Sequence, residues 1–206
     1  NAGYNLSQVS TYDRKYGLSV GSRPDSNWNS MFGYDREAVG IAVQDVVSTN
    51  IIAGQDIVLI ATGDVFGEAV NLQAGNDLNV TAGGNITFTS ATAGSFTQKD
   101  TAWGSIGVGT KTSTGTASLT MAIQTENSTD MMWKPQAVGS TLVAGGNVNL
   151  SSGGDVTIQG SSITAGQTLG ITADGSVNII DAQSGTVALG YEHSTFMGWT
   201  FKVSQP

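Results

Sequence analysis

Recurrent acidic and amide residues are the side chains of this 206-residue sequence that could most readily do chemistry. A pair such as Asp64 and Asp77 could serve as the two carboxylates of a glycosidase, which lie ~5 or ~6.5–9.5 Å apart, or could ligate calcium. Asp64 follows a glycine and Asp77 an asparagine, which favours sharp turns, and the Gly-Gly-x-Gly-x-Asp spacing of calcium-binding repeats does not occur. We therefore interpret the set as turn residues and expect no enzyme. Its members are Asp56, Asp64, Asp77, Asn85, Asn147 and Asp155.

The single histidine and the longest glycine-rich run do not predict a metal or nucleotide site. His193 has Glu192 beside it, but the sequence holds no other histidine and no cysteine with which it could form a common metal-ligand set. Residues 104–109, GSIGVG, are not followed by the Gly-Lys-Ser/Thr of a phosphate-binding loop. We expect neither a cofactor nor a metal.

Aromatic side chains are the remaining candidates for binding. Their rings offer large apolar contact areas, and rings exposed together could bind carbohydrate, lipid or protein. The alternative is that these rings pack inserted segments onto the main body of the protein. The candidate binding surface consists of Tyr12, Tyr16, Trp28, Trp103, Trp133 and Trp199.

The composition limits the classes of protein and partner. The 28 glycines are nearly twice the usual ~7% and predict frequent turns. With 16 acidic and 8 basic residues, the chain repels phosphate, so we expect no nucleic-acid partner. Cysteine is absent, no apolar run approaches the ~18 residues of a membrane helix, and the first residues do not resemble a signal peptide. We expect a soluble internal fragment of a larger protein.

A repeat organises the sequence. Residues 50–91 match residues 141–182 at an offset of 91 without a gap, and we call these two segments the cassettes. Within each cassette an Ala-Gly pair returns at an offset of 21, from 53–54 to 74–75 in the first and from 144–145 to 165–166 in the second. We interpret one step of this shorter period as one structural rung.

Short stretches of alternating apolar and polar residues fill each rung and predict strands. One rung cannot bury its apolar side chains alone, but rungs stacked ~4.8 Å apart pair each strand in parallel with its counterparts. The prediction is an all-β protein, a parallel β-helix, with a meandering sandwich as the structural alternative. Replacing Leu169 with Ala should then cost ~2–5 kcal/mol, as for a buried leucine. The predicted core residues are Leu59, Leu78, Val80, Leu150, Leu169 and Ile171.

The segments outside the cassettes have a different character. Residues 1–47, 92–140 and 183–206 contain all eight basic residues, all four tryptophans and all five tyrosines. Alternation persists there, as in Leu119, Met121 and Ile123, so we interpret each segment as a long antiparallel hairpin inserted into a single β-helix that spans residues 1–206. The apolar face of the hairpin at 92–140 is expected to be covered by the coil.

Residues 144–166, AGGNVNLSSGGDVTIQGSSITAG, and residues 74–91, AGNDLNVTAGGNITFTSA, carry a resemblance to a known family. With WGSIGVG at 103–109, they resemble the hemagglutinin repeats of filamentous-hemagglutinin-type exoproteins exported by two-partner secretion. The arrangement is most similar to the second repeat region of contact-dependent growth inhibition proteins. The resemblance implies a right-handed β-helix on the bacterial surface, and as partners the outer-membrane transporter, neighbouring repeats of the same chain and a target-cell surface or outer membrane.

The expected function is that of a structural or delivery segment of a secreted bacterial surface exoprotein, acting in contact-dependent toxin delivery or adhesion. A first alternative is a carbohydrate- or receptor-binding adhesin module that uses the aromatic side chains. A second alternative is a β-helical polysaccharide depolymerase, although the cassettes contain no arginine or lysine to act beside a bound cation. Function does not follow from fold alone.

Overall fold

The computed structural model describes residues 2–17, 21–22, 28–113 and 116–204, and in this part the chain is all β, without a helix. It divides into two compact units. The coil unit comprises Asn1–Ser7, Val43–Ser95 and Lys134–Thr186, and the long-strand unit comprises Gln8–Ala42, Phe96–Trp133 and Val187–Pro206. The strands are β1 (Gly3–Gly17), β2 (Gly21–Ser22), β3 (Trp28–Val47), β4 (Thr49–Ala53), β5 (Ile57–Ala61), β6 (Val65–Glu68), β7 (Val70–Ala74), β8 (Leu78–Ala82), β9 (Ile86–Thr89), β10 (Ala91–Ser113), β11 (Thr116–Val138), β12 (Thr141–Ala144), β13 (Val148–Ser152), β14 (Val156–Gln159), β15 (Ser162–Ala165), β16 (Leu169–Ala173), β17 (Val177–Ile180) and β18 (Val187–Ser204).

Three parallel sheets of four strands build the coil unit. Their strand orders are β4-β7-β12-β15, β5-β8-β13-β16 and β6-β9-β14-β17. Three successive strands of the chain belong to three different sheets, so each circuit adds one strand to every sheet, as in a β-helix. The predicted all-β architecture with parallel sheets is confirmed.

The pairing register of the sheets follows the sequence repeat. Ile57 lies opposite Leu78, and Val148 lies opposite Leu169, so both pairs stand at the offset of 21 found in the sequence. Leu78 also lies opposite Val148. If the intervening segment 92–140 is left out of the count, these two residues are again 21 positions apart. The rungs therefore continue in phase after this segment.

Inward side chains of these strands form the core of the coil unit. Of the six residues predicted for it, Leu78, Val80 and Leu150 are at most 1% exposed, Leu59 and Ile171 are half-buried against the core, and Leu169 is 46% exposed. Burial of one such side chain stabilises the fold by ~1.5–3 kcal/mol. Leu169 shares the inward register position of Val148, but β16 ends its sheet, so no further strand covers it.

The corner that joins one rung to the next takes a left-handed backbone. Ala69 between β6 and β7 has φ of 48°, and Gly160 between β14 and β15 has φ of 54°. These residues stand 91 positions apart, at the same corner of the two cassettes. Glycine adopts this conformation freely, whereas alanine has a cost of ~1–2 kcal/mol. The buried methyl group of Ala69, which is 0% exposed, offsets part of that cost.

Long strands form a separate sheet, in the order β1-β3-β10-β11-β18 with β2 beside β3. β11 and β18 are antiparallel, in a register that runs from Thr116 opposite Ser204 to Trp133 opposite Val187. β10 and β11 are neighbours separated in the chain by residues 114–115. Side-chain hydrogen bonds link Thr101 with Ser128 and Thr129 with Asp100, as two strands running in opposite directions require.

One face of this long sheet is apolar, as the alternation of Leu119, Met121 and Ile123 predicts. The sequence predicts that this face is covered, whereas these three side chains are 43%, 50% and 48% exposed in the long sheet. Pairing within the sheet satisfies the backbone hydrogen bonds without a covering layer. The face therefore remains available for contact.

Candidate functional site

The acidic and amide corner residues form hydrogen-bonded ladders between rungs. At one corner, Asp64 Oδ1 accepts the backbone N–H of Asn85 at 2.7 Å, Asn85 Oδ1 accepts that of Asp155 at 2.8 Å, and Asp155 Oδ1 accepts that of Ser176 at 2.7 Å. Each side chain thus satisfies the donor of the equivalent residue in the next rung. The corner therefore has the same hydrogen bond at each of three successive steps between rungs.

A second corner is built in the same way. Asp56 Oδ1 accepts the backbone N–H of Asp77 at 3.0 Å, and Asp77 Oδ1 accepts that of Asn147 at 2.6 Å. The amide of Asn147 also donates to Asp77 Oδ1, at 3.2 Å. A hydrogen bond that a carboxylate accepts is among the stronger ones, so the turn interpretation has a direct physical basis here.

These ladders engage the four corner aspartates that the sequence singled out. Within the described residues no group of three or more His, Asp or Glu side chains is placed to hold a metal ion. The ladders use one Oδ1 of each acid for the next rung. In the first ladder the neutral amide of Asn85 separates Asp64 from Asp155, which limits the repulsion that stacked charges of one sign would cause, whereas in the second Asp56 and Asp77 are consecutive.

A buried serine at the rung connection was not predicted. Ser140 is 1% exposed, and its hydroxyl accepts the N–H of Val70 at 3.1 Å and donates to the carbonyl oxygen of Thr89 at 2.9 Å. Its own N–H donates to Ser161 Oγ at 3.0 Å. The sequence does carry a signal, because the Gly-Ser pair at 139–140 returns one rung later at 160–161.

His193 and Glu192 do not form a joint site. They are successive residues of β18, and His193 lies opposite Asn127 whereas Glu192 lies opposite Ser128. Successive residues of a strand point to opposite faces of the sheet. The imidazole contacts the hydroxyl of Thr195, with 3.4 Å between His193 Nε2 and Thr195 Oγ1, and is exposed.

Two of the six aromatic candidates line one groove. Tyr12 of β1 and Trp103 of β10 border a groove of about 460 Å³ in the long-strand unit, together with Asp35, Arg36 and Glu37 of β3. The order β1-β3-β10 places these three strands side by side. This groove therefore brings two aromatic rings together with charged side chains.

The tyrosine ring of this groove is already in contact with cations. The Arg14 guanidinium lies 4.5 Å from the ring centroid of Tyr12, and that of Arg36 lies 5.6 Å from it. Arg14 Nε also donates to the Tyr12 hydroxyl. Cation–π contacts of this kind stabilise by ~0.5–1 kcal/mol at exposed sites. A sugar that stacks on this ring, which is 51% exposed, would compete with these two guanidinium groups.

The other aromatic candidates lie elsewhere. Trp133 is half-buried and opposite Val187, and Trp199 is 75% exposed and opposite Met121. The side chains of Tyr16 and Trp28 lie outside the part of the structure that is described. Among the described side chains, Tyr12 and Trp103 are thus the members of the expected common strip that share a groove, because strand order and not sequence spacing decides which rings come to one place.

The glycine-rich run at 104–109 is part of a strand. It lies inside β10, and a Cβ at Gly104 would overlap the ring of Tyr34. Glycine allows a neighbouring ring to approach the backbone closely. The run is thus a packing feature of β10.

Within the described residues, no helix is long and apolar enough to cross a membrane.

Comparison with known proteins gives one match. A family model described as "Hemagglutinin repeat" matches residues 40–190, which include both cassettes and the segment between them. No curated protein and no solved structure matches the chain. The matched region covers more than half of the sequence and contains every rung described above. This chain belongs to the hemagglutinin repeat family.

Proposed function

We propose that this chain is a structural segment of a secreted, adhesin-like exoprotein of the bacterial surface, and not an enzyme. The hemagglutinin repeat family is typical of secreted or cell-surface proteins. The observation that carries the proposal is the ladder from Asp64 through Asn85 and Asp155 to Ser176. Polar side chains there join one rung to the next, which is the arrangement expected of a rod that acts through its length.

The finer form of the proposal follows the family resemblance. The segment is a right-handed β-helix with antiparallel hairpin insertions, exported through an outer-membrane transporter by two-partner secretion. Outside the cell it contacts neighbouring repeats and the surface or outer membrane of a target cell. There it acts in adhesion or in contact-dependent toxin delivery. The strands of the second cassette stack in register on those of the first, which supports a spacer role, since a spacer must add length without changing direction.

The carbohydrate-binding alternative has less support. It would use the groove between Tyr12 and Trp103, but two guanidinium groups already lie within 5.6 Å of the centroid of the tyrosine ring. The depolymerase alternative would use the corner acids, and these bond the backbone of the next rung. Both alternatives stay predictions, and the structural role accounts for more of the geometry that the two cassettes share.

Removal of one repeat period tests the proposed role. In the exoprotein, deletion of residues 92–182 removes one 91-residue repeat. Gln183 then follows Ala91 and takes the place of Thr92, its equivalent 91 positions earlier. We expect export, surface display and attachment to target cells to persist, with a reach shortened by two rungs, or ~10 Å. Display is measured with antibody on whole cells, and attachment and growth inhibition in mixed culture.

A deletion of similar size that breaks the phase is the control. Removal of residues 92–172 leaves the following rungs out of register, so strands no longer stack on strands and display should be lost. If the in-phase deletion keeps display at the wild-type level but abolishes attachment and inhibition together, a binding or catalytic site lies in residues 92–182. The structural proposal is then wrong.

A further inference from the structure

The antiparallel pair β11 and β18 carries an exposed apolar patch. Three directly opposed pairs form it, Leu119 with Phe201, Met121 with Trp199 and Ile123 with Met197. Residues directly opposite each other in a ladder share one face of the sheet. All six side chains are between 43% and 75% exposed. We call these six residues the apolar patch.

The patch extends towards the middle of the sheet. Ile106 of β10 and Phe32 of β3 line an apolar groove of about 310 Å³ together with Ile123. Ile106 is 51% exposed and Phe32 is 54% exposed. A continuous apolar surface therefore crosses four neighbouring strands, β3, β10, β11 and β18.

Behind the patch, the opposite face of the same two strands is mostly polar or small, with Phe196, opposite Gln124, as a large apolar side chain beside it. Its pairs are Ser118 with Lys202, Thr120 with Thr200 and Ala122 with Gly198. The hydroxyls of Thr120 and Thr200 bond each other at 2.9 Å. The alternation thus separates an apolar face from a polar face, the pattern of a sheet that packs one side against another layer.

The charge distribution favours a second copy of this chain over a lipid surface. The apolar patch contains no charged residue, so two copies can meet there without bringing like charges together, although each chain has a net charge of −8. Interfacial lipid-binding segments usually surround their apolar side chains with lysine and arginine. Here Lys202 of β18 lies on the opposite face of the sheet.

The area is sufficient for a stable pair. Six large side chains at these exposures, with Ile106 and Phe32 beside them, offer an area on the order of the ~800 Å² per partner that a standard interface buries. Trp199 is the most exposed of them, at 75%, and tryptophan is among the residues most enriched at interface hot spots. We propose that two copies of this chain associate face to face through the apolar patch, with the sheets stacked ~10 Å apart.

Sedimentation of the full chain over a range of concentrations tests this proposal. We expect a reversible dimer whose dissociation constant rises at least ~30-fold in Trp199→Ser, since hot-spot truncations have effects of that size. Phe196→Ser is the matched control, because Phe196 is a 57% exposed phenylalanine of the same strand on the other face. Circular dichroism and thermal unfolding establish that both variants fold.

A cross-linking experiment gives an independent readout. The chain has no cysteine, so Met121→Cys introduces a single thiol at the patch and Thr120→Cys one on the other face. A short bis-maleimide should link copies of the first variant and not of the second. The proposal is overturned if the wild type stays monomeric at hundreds of micromolar, or if Phe196→Ser weakens association as much as Trp199→Ser. It is also overturned if the monomeric chain binds phosphatidylcholine vesicles in a flotation assay and Trp199→Ser abolishes that binding.

Discussion

At the scale of the residue, glycine sets how closely two rungs can approach. Gly145 donates its N–H to the carbonyl oxygen of Ala74 at 3.1 Å, and a Cβ at Gly145 would overlap the carbonyl oxygen of Gly75. The overlapping atom belongs to the backbone and cannot move without separating the strands. Gly54 occupies the same corner in the first rung, where nothing lies within 4 Å of an added Cβ.

This difference predicts opposite outcomes for one substitution at two positions. Gly145→Ala should lower the free energy of unfolding by ~1–3 kcal/mol, the usual cost of overpacking. Gly54→Ala should change it by less than ~0.5 kcal/mol, as for an exposed site without special features. Urea unfolding of both variants measures the two values. An equal loss at Gly54 would show that intrinsic backbone preference, and not contact with the next rung, requires glycine at this corner.

At the scale of the element, a strand is stabilised by the strands on both sides of it. Leu150 of β13 lies between Val80 of β8 and Ile171 of β16 and is 1% exposed, whereas Leu169 of β16 has a partner on one side only. Since repeat proteins are held together by interfaces between nearest neighbours, the same side chain contributes more in an inner rung than in a terminal one.

Truncation of the two leucines measures that difference. Leu150→Ala should cost ~2–5 kcal/mol, the range for a buried leucine. Leu169→Ala, for which the sequence predicted the same range, should cost about half as much or less, because its side chain is 46% exposed. The measurement is denaturant unfolding followed by far-ultraviolet circular dichroism. Equal costs would show that another element covers Leu169 in solution.

The parallel sheets could be predicted from the sequence, whereas the order of the long strands could not. The repeat fixes which residues stack and the alternation shows which face they share, so together they identify Leu78, Val80 and Leu150 as core residues. β10 lies between β3 and β11, and no local signal states this order, because alternation shows which face a residue points to and not which strand is its neighbour. The sequence placed Tyr12 and Trp103 in one candidate surface with four other aromatic residues, but only the strand order shows that these two line a common groove.

At the scale of the whole molecule, the coil unit has a core of its own. Every residue of its buried cluster lies between Ile57 and Phe88 or between Leu142 and Ile158, and none comes from residues 96–133. Ser95 and Lys134, the residues that flank this segment, both belong to the coil unit and border one groove with Asp45. The chain thus leaves the coil and returns to it within a short distance.

Replacement of residues 96–133 by a short Gly-Ser turn should therefore leave the coil folded. We expect the β-sheet circular dichroism signal and a cooperative thermal transition to persist, because the ladders at Asp64 and Asp77 and the buried core remain intact. The same turn inserted between Leu78 and Asn79 is the control and should abolish cooperative unfolding, since it interrupts an inner strand. Loss of the transition in the first variant would mean that residues 96–133 cover the rungs and are required for their stability.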